Sequence, residues 1–396
     1  MKSTRVLISG ASIAGPALAL WLTRYGFDVT VVEKAPALRR GGQAVDFKGE
    51  THRTVLERMG ILDEVRAART GSEDGTVVDA AGRRIATVPA EFTGGDVEIV
   101  RGDLAQILLD RTAATTTYVF GDSITSLTET PTGVDVTFER GGPQTFDLVV
   151  GADGLHSNVR RLAFGPETDY VRHLGYHYAL AELDVEGGSE LYSEPGRTAA
   201  TGGPKAPAFF VFASPPLAYD RDDVAQQQRL VADAYRGAGW RVPELLARLP
   251  EAREFYLDSI SRVTMDRYTS GRVALLGDAA YGNTLGGFGT GLAVVGAYVL
   301  AGELLRADGD HAVAFARYEA GFRRYAQVSQ KVNAGRILAP RTRLGMRLRN
   351  LLFSTSFLFA PLMRLSDRFA TDIELEDYAL LVPGALEVPE ADRPVR

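Results

Sequence analysis

The residues best placed to do chemistry form three clusters of glycine and carboxylate set far apart in the chain. The first is Gly10-Ala11-Ser12-Ile13-Ala14-Gly15, with Glu33 following 18 residues after Gly15. The second is Asp153-Gly154, and the third is Gly277-Asp278 followed by Gly286-Gly287-Phe288-Gly289-Thr290-Gly291. Gly10 permits a tight turn, and Gly15 lets a helix pack close to a sheet. A helix opening there offers unpaired N–H groups and a partial positive charge to a pyrophosphate. Ser12 replaces the middle glycine of the usual pattern, and its hydroxyl can itself donate to phosphate. Glu33 stands near the spacing at which a carboxylate accepts from a ribose hydroxyl; it also repels a 2′-phosphate. The first cluster therefore predicts a site for the ADP half of a dinucleotide.

Buried strands must deliver these groups. Val6-Leu7-Ile8-Ser9 reads as a strand covered on both faces, Pro16-Ala17-Leu18-Ala19-Leu20-Trp21-Leu22 as an apolar helix, and Val29-Thr30-Val31-Val32 as a second strand. Phe146-Asp147-Leu148-Val149-Val150 runs into Asp153 in the same way, and Arg272-Val273-Ala274-Leu275-Leu276 runs into Asp278. An acid at a strand end, like Asp278, suits the hydroxyls of a ribityl chain. The helix opening at Gly289, Thr290 and Gly291 can aim N–H groups at a flavin N1–C2=O, where negative charge gathers on reduction. These two segments favour FAD over NAD as the bound cofactor.

Gly10-x-Ser12-x-x-Gly15, Asp153-Gly154 and Gly277-Asp278, in this order, resemble the three fingerprints of the class A flavoprotein monooxygenases, the para-hydroxybenzoate hydroxylase-like aromatic hydroxylases. Gly41-Gly42-Gln43-Ala44-Val45-Asp46-Phe47-Lys48-Gly49 and Glu98-Ile99-Val100-Arg101-Gly102-Asp103-Leu104 are most similar to the tetracycline-inactivating and antibiotic-tailoring branches. The resemblance implies FAD contacts from Gly10, Ser12, Ile13, Ala14, Gly15, Glu33, Lys34, Asp153, Gly277, Asp278, Gly289, Thr290 and Gly291. It places Arg101 on the ribityl–phosphate side and passes Gln43, Ala44 and Asp46 near the isoalloxazine. The chain departs from the pattern in four ways. Tyr281 stands where His is usual, no proline lies between Asp278 and Gly289, Gly291 replaces an Asn, and Gly296 replaces an Asp.

By resemblance, NAD(P)H reduces FAD as a transient co-substrate, and the reduced flavin captures O2 as a C4a-hydroperoxide. That oxidant then oxygenates an aromatic, polyketide or antibiotic-like small molecule. Alternatives are an FAD oxidase or reductase that inserts no oxygen, and a non-catalytic flavoprotein that sequesters a drug. A flavin halogenase is disfavoured because its usual Trp-x-Trp-x-Ile-Pro is missing; the tryptophans are Trp21 and Trp240.

The expected fold is α/β: a Rossmann-like FAD-binding domain, parallel sheet with helices, carrying an inserted, mostly antiparallel substrate sheet and a C-terminal helix. The FAD domain is expected from residues 1–75, 97–165 and 270–335, the substrate domain from 76–96 and 166–269, and a helical tail from 336–396. Within the substrate domain, Tyr178, Tyr192, Phe210 and Phe212 are candidates to line an apolar pocket; alternate strand positions point to opposite faces, so part of this set is expected in the core. Asp46 and Tyr281 complete the candidate substrate set. His173 and His177 read as strand residues, spaced roughly 13 Å apart and too far to share an ion, so no metal is expected.

With 396 residues, 45% hydrophobic and 24% charged, the chain is sized for two domains of an ordinary globular kind. A net charge of −6 argues against nucleic acid as a partner. Without cysteine there are no thiolate metal sites and no disulfides, consistent with a cytoplasmic protein. Residues 290–302 and 351–363 are uncharged, but each falls short of the roughly 20 residues a membrane span needs, so both are expected as buried helices. The expected assembly is a monomer or homodimer.

Overall fold

The structure, a computed structural model, describes residues 4–39, 41–71, 74–90, 97–202, 208–327, 330, 332–355 and 373–381. Its organising element is a six-stranded sheet. Arg5–Ser9 lies parallel to Asp28–Glu33 on one side and to Leu148–Gly151 on the other; Thr117–Phe120 extends one edge, and Val273–Leu275 with the short Thr269–Ser270 extends the other. Val6, Leu7 and Ile8 are completely buried, as a strand covered on both faces requires. The chain leaves this sheet at three carboxyl ends: Ser9, Gly151 and Leu275. Each of the three clusters of glycine and carboxylate begins there.

Helix Ala14–Arg24 follows the first strand and takes Pro16 in its opening turn, where a missing N–H costs nothing. It packs against helix Gly289–Arg306, which in turn packs on His311–Ala326. Gly289–Arg306 is long and apolar enough for a membrane span by length and composition, yet 78% of it is buried inside the protein. It is a core helix.

A seven-stranded sheet supplies the second layer, in the order Phe255–Val263, Val171–Ala181, Ala208–Ala213, Arg197–Thr201, Glu190–Glu194, Gly75–Val78, Arg84–Val88. One pair, Glu190–Glu194 with Gly75–Val78, is parallel and the rest are antiparallel. Successive side chains alternate between its faces. Ala179, Ala181, Phe210, Phe212 and Leu257 point to one face, where Val231, Tyr235, Val242 and Leu245 cover them. Tyr176, Tyr178, Leu180, Val211 and Ile260 point to the other. The fold class is the expected one.

The C-terminal expectations are met only in part. Helix Arg343–Ser354 packs through Phe353 and Leu352 on Val77, Ala86 and Val88, so it covers the hairpin end of the larger sheet. The apolar stretch expected at 351–363 lies, beyond residue 355, outside the described residues, as does the tail past residue 381.

Candidate active site

The dinucleotide loop is shaped by what its glycines cannot carry. Gly10 has φ +109°, and a Cβ on it would lie 2.4 Å from the Ala152 carbonyl oxygen. A Cβ on Gly15 would lie 1.9 Å from the Gly10 carbonyl oxygen. Neither neighbour can yield, because both are backbone. The Glu33 carboxylate bridges this loop to the end of its own strand, accepting from the Ala11 N–H at 2.8 Å and the Ala35 N–H at 2.8 Å. Ser12 accepts from Arg101 Nη2 at 2.8 Å, and the Arg101 N–H donates to the Gln43 carbonyl at 3.1 Å. The loop, the Arg101 turn and the segment at Gln43 are thereby tied into one rim. Ala44–Phe47 pairs antiparallel with Val97–Val100, which sets Asp46 opposite Glu98. Ile13 and Ala14 are buried behind the loop, whereas Lys34 is exposed at the strand end.

Gly277, at φ +64°, brings Asp278 round beside the opening of the glycine helix. A Cβ on Gly277 would touch Ala14 at 3.2 Å and Ala293 at 3.5 Å; one on Gly289 would lie 3.5 Å from Asp278 Oδ1. The first and third clusters therefore meet here, since Ala14 belongs to the first and Ala293 follows the third; the second meets the first where a Cβ on Gly10 would reach Ala152 and Asp153. The helix beginning at Gly289 has no side-chain cap, so its first N–H groups are left for a ligand. Asp278 is exposed while Gly277 and Ala279 on either side are buried. It opens onto a cleft whose walls still desolvate the carboxylate and raise its pKa, an effect that Arg101 opposes. The donors, acceptor and glycine cradle are of a kind that could hold FAD: Ser12 and Arg101 would meet its phosphates, Glu33 its ribose, Asp278 its ribityl hydroxyls, and Gly289, Thr290 and Gly291 its pyrimidine edge.

Asp153 behaves differently. Its buried carboxylate accepts from the Asn158 N–H at 2.9 Å, the Val159 N–H at 3.0 Å, Ser9 Oγ at 3.3 Å and Ser157 Oγ, and burial raises its pKa against those bonds. Its bonds are to the chain: it caps helix Asn158–Ala163 and joins it to the first strand.

Strand Phe255–Val263 runs beside these segments. Near its start, a Cβ on Gly41 would meet Glu254 Oε2 at 2.8 Å; at its end, the Val263 N–H donates to the Gly282 carbonyl at 2.7 Å. Between these points Tyr178 and Tyr256 share a face, with ring centroids 5.8 Å apart. Tyr178 feels both Arg101 and Asp278 electrostatically, and burial raises its pKa. Tyr256 stands outside the candidate set read from the sequence; its place on this face emerges from the pairing of Phe255–Val263 with Val171–Ala181. Its hydroxyl donates to Asp258 Oδ2 at 2.7 Å, and Asp258 in turn meets His156 Nε2 at 3.0 Å. His156 Nδ1 lies 3.0 Å from Glu167. Burial disfavours the charged ring, but the bonds to Asp258 and Glu167 outweigh it and raise the His156 pKa. The resulting chain of groups ties the seven-stranded sheet to the segment following Asp153.

Four candidate residues are placed elsewhere. Phe210 and Phe212 lie on the helix-covered face, against Tyr235 at 5.3 and 6.1 Å, and Tyr192 packs on Trp240 at 5.9 Å in the same cluster. Being an even number of residues apart, the two phenylalanines share a face, and the helices claim it. Tyr281 turns into the core between Tyr268 at 5.4 Å and Phe322 at 5.2 Å. Its hydroxyl occupies the place of a side chain at Gly296, where a Cβ would lie 2.4 Å away. Likewise a Cβ on Gly291 would lie 2.2 Å from the His52 ring. The departures at Tyr281, Gly291 and Gly296 are thus compensated by their neighbours. The separation expected for His173 and His177 also fails: a bulge between His173 and Tyr176 brings the rings to 4.9 Å. Burial and the neighbouring His173 push the His177 pKa down to about 4. No group of three or more His, Cys, Asp or Glu able to hold a metal occurs among the described residues.

Comparison with known proteins identifies the family. Residues 3–320 match the model of the FAD binding domain family. A flavin-dependent monooxygenase of Legionella longbeachae is 38% identical over 346 residues, covering 83% of this chain and 88% of the relative. The crystal structure of tetracycline destructase Tet(55) superimposes with a TM-score of 0.79 at 34% identity, covering 95% of this chain and 99% of that one. Tetracycline destructase Tet(51) gives 0.80 at 31% identity with the same coverage. Family, cradle and fold coincide, and the chain belongs to the class A flavin monooxygenases, as an FAD-dependent oxidoreductase.

Proposed function

We propose that the enzyme uses NAD(P)H and O2 to add one oxygen atom to an aromatic, polyketide or antibiotic-like small molecule. The carrying observation is the position of Tyr178 and Tyr256: two aromatic rings 5.8 Å apart on the face of the seven-stranded sheet opposite Val231 and Tyr235, within electrostatic reach of Arg101. Similarity to tetracycline destructases supports an antibiotic-like substrate. FAD supplies the electron storage and oxygen activation. The chain's own part is threefold. Gly10 to Gly15, Glu33 and Arg101 hold the ADP half. Asp278 and the helix start at Gly289 orient the flavin end. Tyr178 and Tyr256, their rings inclined at 59°, offer an angled aromatic wall that holds a substrate and keeps water from the reacting centre. The nicotinamide docks transiently, so no second dinucleotide copurifies.

The test is NADPH and NADH oxidation by FAD-loaded protein with a panel of phenols, polyketides and tetracyclines under 18O2, with product mass followed. Ligand-stimulated oxidation and a product carrying one labelled oxygen is expected. Ligand oxidation with no label in the product would establish an oxidase and overturn the proposal.

A further inference from the structure

His52 is a buried ionisable side chain for which the oxygenation reading has no use, and it touches the element that meets the flavin. It is 1% exposed and lies on helix Gly49–Met59. A Cβ on Gly291 would come within 2.2 Å of Cε1, 2.3 Å of Nε2 and 2.7 Å of Nδ1 of its ring, so the ring fills the space beside the first turn of helix Gly289–Arg306. Nδ1 accepts from the Lys48 N–H at 2.9 Å, which leaves the ring proton on Nε2, 3.0 Å from the Tyr325 hydroxyl. Lys48 directly follows strand Ala44–Phe47, and Tyr325 belongs to helix His311–Ala326. One neutral ring therefore links the strand beyond Gln43, the start of the glycine helix and the helix packed behind it.

We propose that His52 is a positioning residue for the flavin: it sets the distance between the strand carrying Gln43 to Asp46 and the free N–H groups at Gly289 to Gly291. Those N–H groups stabilise negative charge at the flavin's pyrimidine edge, and that charge is larger in the reduced cofactor. A loosened helix start loses more of its hold on reduced than on oxidised FAD. The ring itself brings no charge, so the effect runs through geometry. This inference rests on FAD binding and not on the identity of the substrate; failure of the oxygenation assay would leave it standing.

The experiment is a measurement of FAD affinity, the two-electron midpoint potential of bound FAD, and the unfolding midpoint of the apoprotein. It compares wild type, His52→Ala and Tyr325→Phe. For His52→Ala we expect FAD to bind about tenfold more weakly when oxidised and about a hundredfold more weakly when reduced. The tenfold difference between the two states is a fall of about 30 mV for a two-electron couple. Tyr325→Phe, which removes only the ring's outer partner, should move the potential in the same direction by less. A lower unfolding midpoint with unchanged potential in both variants would make His52 a core filler and overturn the proposal. Should His52→Ala fail to fold, Tyr325→Phe decides alone, and an unshifted potential in it overturns the proposal.

Discussion

The contact between Tyr281 and Gly296 yields a sharp energetic prediction. Adding a methyl group at Gly296 places it 2.4 Å from Tyr281 Oη, 3.0 Å from Leu276 Cδ1 and 3.1 Å from Phe322 Cζ. The hydroxyl cannot swing aside, because Tyr281 is 2% exposed and is gripped by Tyr268 and Phe322. Overpacking of this kind costs about 1–3 kcal/mol, and alanine recovers about 1 kcal/mol of helix propensity over glycine. Gly296→Ala should therefore destabilise by up to about 2 kcal/mol. Removing the hydroxyl by Tyr281→Phe deletes the worst contact and gives up a long bond to the Leu292 carbonyl, at 3.5 Å, and the side-chain hydrogen bond shared with Tyr318. In that background Gly296→Ala should be neutral or slightly stabilising, leaving a coupling energy of about 1–2 kcal/mol. Urea unfolding of the four apoproteins measures it. Additive effects, within about 0.5 kcal/mol, would refute the claim that these two positions form one packing unit.

Further predictions concern the cradle and the two faces of the large sheet. Gly10→Ala should abolish FAD binding, read by loss of visible absorbance after dialysis, because its Cβ meets the backbone of Ala152 at 2.4 Å. Glu33→Gln replaces one of two acceptors with a donor facing an N–H, and should weaken FAD by about 1.5–3 kcal/mol, roughly ten- to a hundredfold in Kd; an unchanged Kd would remove Glu33 from the site. Phe210→Ala should cost about 3–5 kcal/mol of stability while leaving substrate preference unaltered, whereas Tyr178→Ala should change the preference. The His156 bridge should be pH-dependent. Its raised pKa means its contribution is complete below the ordinary value of 6.5 and disappears as pH rises through the raised value. The lowered pKa values of Asp258 and Glu167, against ordinary values of 3.8 and 4.5, mean their contribution is present above those values and disappears on acidification. The stability difference between wild type and His156→Gln should therefore be largest near pH 4.5–6.5 and shrink above it; a difference that grows toward alkaline pH would contradict the bridge.

Much of the cofactor site was legible in the chain because it is written in backbone chemistry. Gly15 is excluded from carrying a side chain by the nearby Gly10 carbonyl and Gly10 adopts a positive φ, both local demands, although the backbone that would meet a Gly10 Cβ belongs to the distant Ala152; a strand buried on both faces announces itself by an unbroken apolar run such as Val6-Leu7-Ile8. Glu33 and Asp278 sit at strand ends, where the local pattern alone puts them. These features determine FAD, the α/β fold and the enzyme class. The substrate side was legible only as a set of aromatic residues. Alternation shows that Tyr178 and its neighbours Ala179 and His177 part company, but not which face the helices will cover. Packing by Val231, Tyr235, Val242 and Leu245, which are distant in sequence from Tyr178, decided that Phe210 and Phe212 lie under the helices and that Tyr178 and Tyr256 lie on the opposite face. The same holds for His52 beside Gly291, Tyr281 beside Gly296, and His173 beside His177. In the first two, a side chain fills the volume a distant glycine leaves vacant; in the third, a bulge changes a distance that regular geometry would have set. Such volumes and bends arise only when separate elements compete for the same space, so the tertiary structure alone could assign them.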